Sequence, residues 1–148
     1  TIGRIIGMFP GDEQNRIKMS LSGVLQGIVA QRLVRTVDKK RTAAVEVLVK
    51  NARIEALIME GRENEIPDAL KEGKEVYKTQ TFDQCLVGLY SEGRIDKEEA
   101  IRAATSRNDI AMALDFYDAD KAFKETKKYE TTATYVKKVD KDIVGLKR

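Results

Sequence analysis

The stretch "RTAAVEVLVKNARIEALIMEGR", residues 41 to 62, changes its apolar period half-way along. Ala43 to Val49 is rich in β-branched residues and almost continuously apolar, which reads as a strand buried on both faces. From Asn51 the apolar residues Ile54, Leu57 and Ile58 recur at helical spacing. Asn51 is placed to cap that helix and Gly61 to end it. A strand that hands over directly to a short capped helix calls for mixed α/β structure.

Upstream, Leu33 to Val37 forms a second β-branched run, separated from the first by Asp38-Lys39-Lys40, so the two runs predict a hairpin. Before it, Ile17, Leu21, Val24, Leu25, Ile28 and Val29 fall at helical spacing behind acidic Asp12 and Glu13, which predicts one long helix. Ile2, Ile5 and Ile6 make a short apolar face that stops at Phe9-Pro10-Gly11. Downstream the pattern is helical. Pro67 sits in a first turn that Gly73 closes. Thr81 with Gln84, and Asp96 with Glu99, have the spacing of reciprocal capping boxes. Ser106 and Asp109 open a last helix through Ile110, Ala113 and Leu114, and after Asp115 the pattern weakens. The expected architecture is α-rich α/β: a long helix and a hairpin over residues 1–50, a bundle of short helices over 51–115, and a weakly patterned extension over 116–148.

The 148 residues carry 27 Lys/Arg and 24 Asp/Glu, a net charge of +3. Residues 116–148 hold nine of the cations and six of the acids, so the excess sits there and the rest is balanced at 18 of each. A balanced body argues against a nucleic-acid-binding face, and leaves the tail, where Tyr117, Phe123, Tyr129 and Tyr135 alternate with lysines, as the electrostatic candidate for a polyanion. No run approaches the roughly 20 apolar residues of a membrane-spanning helix, and the expectation is a cytoplasmic protein. Histidine is absent and Cys85 is the lone cysteine. That excludes an internal disulfide and a cysteine-cluster zinc site, and Cys85 reads as a small buried apolar residue.

Several catalytic chemistries lack their residues. A P-loop needs two glycines separated by four residues and then Lys-Ser/Thr, so that backbone N–H groups wrap the phosphates. Gly73-Lys74 is the one Gly-Lys pair, but Glu75 follows it and Asp68 stands where the first glycine belongs. Thr1 at the chain start raises the chemistry of an N-terminal threonine nucleophile, which the helical pattern disfavours. Glu60, Glu63 and Glu65 flank the Gly61 break and read as a solvated face, and Glu98 and Glu99 as exposed helix-start charges. Glu46, a carboxylate inside an apolar strand, is expected to form a structural ion pair, because an unpaired buried charge is costly. On these residues alone the chain is an interaction module or a subdomain with no assembled active site.

Four segments, in order and spacing, resemble one family. "TIGRIIGMFPGDEQNRIKMSLSGVLQGIVAQRLV", "RTAAVEVLVKN", "ARIEALIMEGR" and "TQTFDQCLVGLYSEGRIDKEEAI" look like the C-terminal half of the PilT-like type IV pilus retraction ATPases, over roughly residues 1 to 115. The resemblance implies a secretion-ATPase superfamily member: a ring hexamer with an N-terminal PAS-like domain and a RecA-like domain, using ATP and Mg to move pilin subunits. In that family the P-loop, Asp box, Walker B segment and His box precede "TIGRII". The resemblance therefore assigns residues 1–50 to the end of the RecA-like core and implies that this chain alone is inactive, with no cofactor of its own. It also implies a homo-hexamer, the pilus inner-membrane platform protein as partner, no nucleic acid, and a place at the cytoplasmic side of the pilus base.

Retraction ATPases carry a signature written Ala-Ile-Arg-Asn-Leu-Ile-Arg-Glu. It falls here on Arg53 to Glu60, matching at Ile54, Leu57, Ile58 and Glu60 and departing at Arg53, Glu55, Ala56 and Met59. By resemblance, Ile54, Glu55, Leu57, Ile58, Met59, Glu60, Gly61 and Arg62 form a coupling element, with Glu55, Glu60 and Arg62 expected at an interface. Two other assignments compete: a pilus assembly or type II secretion ATPase of the same superfamily, and a stand-alone helical adaptor that binds through residues 51 to 73.

Overall fold

The computed structural model describes residues 2–124 and Lys127. Thr1 and the tail aromatics Tyr129 and Tyr135 lie outside the described residues. The described chain divides into two compact units, Thr1–Arg107 and Asn108–Arg148.

In the first unit α1 (Ile2–Ile6) is a single turn and a half that buries Ile2 and Ile6 and leaves Ile5 at the rim. The next helix, α2 (Gln14–Val24), is shorter than its apolar period predicts. Leu25 turns extended, and Ile28 and Val29, expected on the helix, belong to strand β1 (Gly27–Arg35). The reason is pairing. β1 runs antiparallel to β2 (Arg41–Val49) over nine residue pairs, from Gly27 with Val49 to Arg35 with Arg41. Gly27 makes the entry to this ladder possible, because a Cβ there would stand 2.9 Å from the Leu48 carbonyl oxygen. Pairing the facing edges of the two strands over nine residue pairs outweighs one more helical turn. The hairpin turn falls where expected, with Thr36 N–H donating to the Lys40 carbonyl at 3.0 Å and Lys39 in the left-handed region, but Val37 lies in the turn and not on the strand.

Asn51 then caps α3 (Ala52–Glu60), its side chain accepting from Ile54 N–H at 3.0 Å, and Gly61 at φ 70° ends it with its N–H turned back to the last carbonyls. A 3-10 turn (Glu63–Glu65) leads into α4 (Ile66–Glu72), with Pro67 in its first turn. Gly73 closes α4 as its C-cap, as expected, and with a right-handed backbone leads directly into α5 (Lys74–Tyr77). It is needed for space: a Cβ would meet Thr79 Oγ1 at 2.8 Å, and that buried hydroxyl donates to the Leu70 carbonyl at 2.7 Å. Thr81 and Gln84 form the reciprocal capping box of α6 (Phe82–Ser91). Asp96 caps α7 (Lys97–Ala103).

One hydrophobic core joins α1, the end of β2, α3 and α4 through Ile2, Ile6, Leu48, Ile54, Leu57, Ile58, Ile66, Ala69 and Leu70, with Ile17, Leu21, Leu25 and Ile28 packed at its edge. It therefore crosses the division drawn at residue 50. On β2 the Val45 N–H donates to Cys85 Sγ of α6 at 3.3 Å, and Gln80 exchanges backbone hydrogen bonds with Val47 at 2.8 and 2.9 Å. Cys85 is half-buried by this contact. β2 is not buried on both faces: Ala44 and Leu48 are buried, their neighbours are half-buried, and Val49 is exposed. With two strands in the sheet, side chains pointing away from the core have only partial cover.

Helix α8 starts at residue 107 and the described residues of the second unit trace it from 108 to 124, so regular structure runs past Asp115 where the sequence pattern weakens. Lys124 and Asp120, one turn apart, pair at 2.6 Å. Met112, Phe116 and Phe123 are exposed on it.

Candidate functional site

The coupling element predicted on residues 54–62 divides cleanly by burial. Ile54 and Ile58 are fully buried and Leu57 is 4% exposed, so the three apolar residues of the signature are core residues of α3. Each contributes about 1.5–3 kcal/mol by leaving water. Met59, on the opposite side, is 50% exposed. Glu55 is half-buried and pairs with Lys50 at 3.1 Å, and the same ammonium donates to the Gly23 carbonyl at 3.1 Å. Where the family signature has arginine, this chain thus has a carboxylate that ties α3 to the end of β2 and, through Lys50, to the end of α2.

Glu60, Gly61 and Arg62 form a second cluster. The left-handed backbone of Gly61 reverses the chain so that Arg62 reaches Glu60 at 2.8 Å and Glu65 through two parallel hydrogen bonds of 2.7 Å each. The fork-to-fork pair with Glu65, then Glu60, raises the guanidinium's pKa further above its ordinary value, and the Arg62 hydrogen bonds hold the Glu65 carboxyl below its own. Lys18 of α2 covers this corner, since a Cβ on Gly61 would lie 2.7 Å from its Nζ. Arg53 is paired with Glu72 of α4. The structure brings together Glu60, Gly61, Arg62 and Glu65 at one end of α3, and places Glu55 at the other end with Lys50.

Glu46, expected in a structural ion pair, forms none among the described residues. It stands opposite Ala30 in the ladder and borders a surface cavity of about 470 Å³ that Arg4, Glu63 and Ile66 also line. The two-stranded sheet leaves it half-buried, so it is not the fully buried charge that would need a partner.

Two groups escaped the sequence reading. Glu99, expected as an exposed helix-start charge and as the return half of a capping box, is 7% exposed. Asp96 accepts from its N–H at 2.7 Å, but the Glu99 carboxylate turns inward, accepting from Arg35 N–H at 2.7 Å and from Arg102 Nε at 2.9 Å. Burial pushes its pKa up, and the Arg102 and Arg35 hydrogen bonds outweigh that and hold it below the ordinary value. Asp83 likewise accepts from Thr105 N–H at 2.7 Å and Ser106 N–H at 3.1 Å just ahead of residue 107. Spacing hinted at Glu99, which stands three residues from Arg102, but its backbone partner lies 64 residues away.

No family model matches the chain. It is 41% identical over 112 residues, 75% of its length, to the type IV pilus ATPase PilU of Pseudomonas aeruginosa. The chain belongs to the PilT-like ATPase family. The same organism's type IV pilus retraction ATPase PilT is 33% identical over 100 residues, 68% of the chain. The crystal structure of the pilus retraction motor PilT with bound ADP superposes with a TM-score of 0.63 at 32% identity, over 73% of the chain. The chain spans 29% of the length of each of these three relatives. Among its described residues no helix is long and apolar enough to cross a membrane.

Proposed function

We propose that this PilT-like chain is the C-terminal portion of a hexameric motor ATPase that powers type IV pilus retraction and twitching motility, and that α3 with the Gly61 corner couples ATP hydrolysis to ring motion. The observation that carries the reading is the division of α3. Its apolar signature residues are locked in the core, so the helix moves only as a rigid body with its neighbours, while Met59 and the Arg62 cluster face outward. Coupling by packed helices that shift as units needs that combination of a fixed inner face and a free outer one.

The hairpin fits the end of a RecA-like core. β1 pairs with β2, and Val29 and Leu33, which share one face of β1, are 73% and 62% exposed, as suits a strand whose outer face further structure of a larger core would cover. By the family resemblance, ATP and Mg would be held by the P-loop-bearing part of the intact motor, which would act on the inner-membrane platform of the pilus from the cytoplasmic side.

The test compares this chain with a longer polypeptide of the same protein that carries a P-loop, by ATP hydrolysis and by native mass. The longer form should hydrolyse ATP as a hexamer, and Met59→Glu in it should slow retraction while ATP hydrolysis is retained. Retraction at the unchanged rate in that variant would remove α3 as the coupling element. A longer form without ATPase activity would remove the motor reading.

A further inference from the structure

The hairpin ends on a pair that destabilises it. Arg35 and Arg41 are directly opposite each other, the last pair of the ladder, and both are exposed. Like charges at directly opposed positions repel, because their Cβ atoms stand only about 4.5–5.5 Å apart. Neither side chain has an ion-pair or hydrogen-bond partner among the described residues, and nor does Lys39, held in a left-handed conformation in the turn beside them. All three border one open cavity of about 680 Å³ between the hairpin tip and the start of α7.

The carboxylates near this cavity are mostly occupied already. Glu99 holds Arg35 N–H with one oxygen and Arg102 with the other. Asp96 caps α7, and Asp38 is held by Lys40 at 3.0 Å and by the Thr36 hydroxyl. Glu98 is the one lining carboxylate without such a partner among the described residues, against three cations. The framework is also fixed before any ligand arrives. Val37 N–H donates to the Arg94 carbonyl at 3.0 Å, Thr36 N–H closes the turn, and Glu99 pins the Arg35 backbone.

We infer that the cavity at the hairpin tip binds a phosphate-bearing anion, bracketed by the Arg35 and Arg41 guanidiniums with Lys39 closing the third side. Two planar guanidinium forks match phosphate oxygens bidentately, and a doubly charged group between them turns the cross-strand repulsion into attraction. The nearby Glu99 carboxylate attracts the Arg35 charge only from the backbone side while it also serves Arg102, and the Arg35–Arg41 pair left at the hairpin tip is what a binding site built in advance of its ligand looks like. The phosphate could be carried by a soluble di- or triphosphate or by an anionic lipid headgroup.

The experiment is thermal unfolding of the 148-residue chain in inorganic pyrophosphate against chloride of equal ionic strength, with co-sedimentation on phosphatidylglycerol or phosphatidylcholine vesicles. Three chains are compared: wild type, Arg41→Gln, and Arg16→Gln as a control cation elsewhere on the surface. The wild type and Arg16→Gln should bind saturably, and Arg41→Gln should lose at least about tenfold in affinity. Without ligand, Arg41→Gln should melt no lower than the wild type, because the repulsion is gone. Arg41-dependent pyrophosphate binding assigns a soluble phosphate. Arg41-dependent sedimentation with phosphatidylglycerol alone assigns a headgroup. No response to either ligand, or an equal response in Arg41→Gln, overturns the site.

Discussion

Replacing Glu99 separates a backbone role from a charge role, because its two carboxylate oxygens serve different partners. One accepts from the Arg35 N–H at 2.7 Å, at a side chain that is 8% exposed, and the other accepts from Arg102, whose side chain is 62% exposed. Glu99→Ala leaves the Arg35 N–H without its acceptor, at a cost of about 1.5–3 kcal/mol for a lost hydrogen bond to a charged group. The exposed Arg102 pair adds at most about 1 kcal/mol. The expected total is about 2–4 kcal/mol. Glu99→Gln keeps an oxygen for the Arg35 N–H and gives up mainly the charge, so about 1 kcal/mol is expected. Urea unfolding followed by circular dichroism measures both, and the midpoint should move with little change in slope. Equal losses in the two variants would refute the argument, since the buried acceptor could then not be what Glu99 contributes. A loss below about 1 kcal/mol in Glu99→Ala would refute it as well.

The same carboxyl predicts a pH dependence. Its folded pKa lies below the ordinary glutamate value of 4.5, so between the two values the unfolded chain binds more protons and stability rises with pH. The contribution is complete above about pH 4.5 and is lost as pH falls through the folded pKa, and Glu99→Gln should flatten that part of the acid-unfolding profile. Ile58→Ala removes a fully buried side chain from the core shared by α1, α3 and α4 and should cost about 2–5 kcal/mol in chemical unfolding, whereas Met59→Ala, at a half-exposed position one residue on, should cost under about 1 kcal/mol. Gly61→Ala forces a side chain into φ 70° and should cost about 1–2 kcal/mol, with Lys18 swinging aside, so a neutral result would mean that the corner is not held in that conformation.

Much of the local structure was legible in the chain because it depends on neighbours in sequence. Asn51 and Gly61 bound α3, Thr81 and Gln84 cap α6, and Asp38-Lys39-Lys40 marks the turn, each through hydrogen bonds spanning three to five residues. The family resemblance was legible for the same reason: the four matching segments keep their apolar positions and turn residues in register. The failures have one physical pattern. Ile28 and Val29 continue a helical period, yet the chain unwinds at Leu25 because Gly27 to Arg35 finds a partner strand. Glu99 has the spacing of a capping box, yet its carboxylate turns to a backbone N–H of β1.

At the signature helix, sequence determined which residues face inward, since the spacing of Ile54, Leu57 and Ile58 permits one apolar stripe. It did not determine what the outward charges do. Glu55 meets Lys50 and Arg62 gathers Glu60 and Glu65 because the end of β2 and the reversal at Gly61 place them within reach. Arg35 and Arg41 are unremarkable six residues apart, and become a repelling pair when the hairpin register sets them face to face. Short-range hydrogen bonding and apolar period can be read along a chain. Charge pairing depends on distance in space, and only the folded register fixes that.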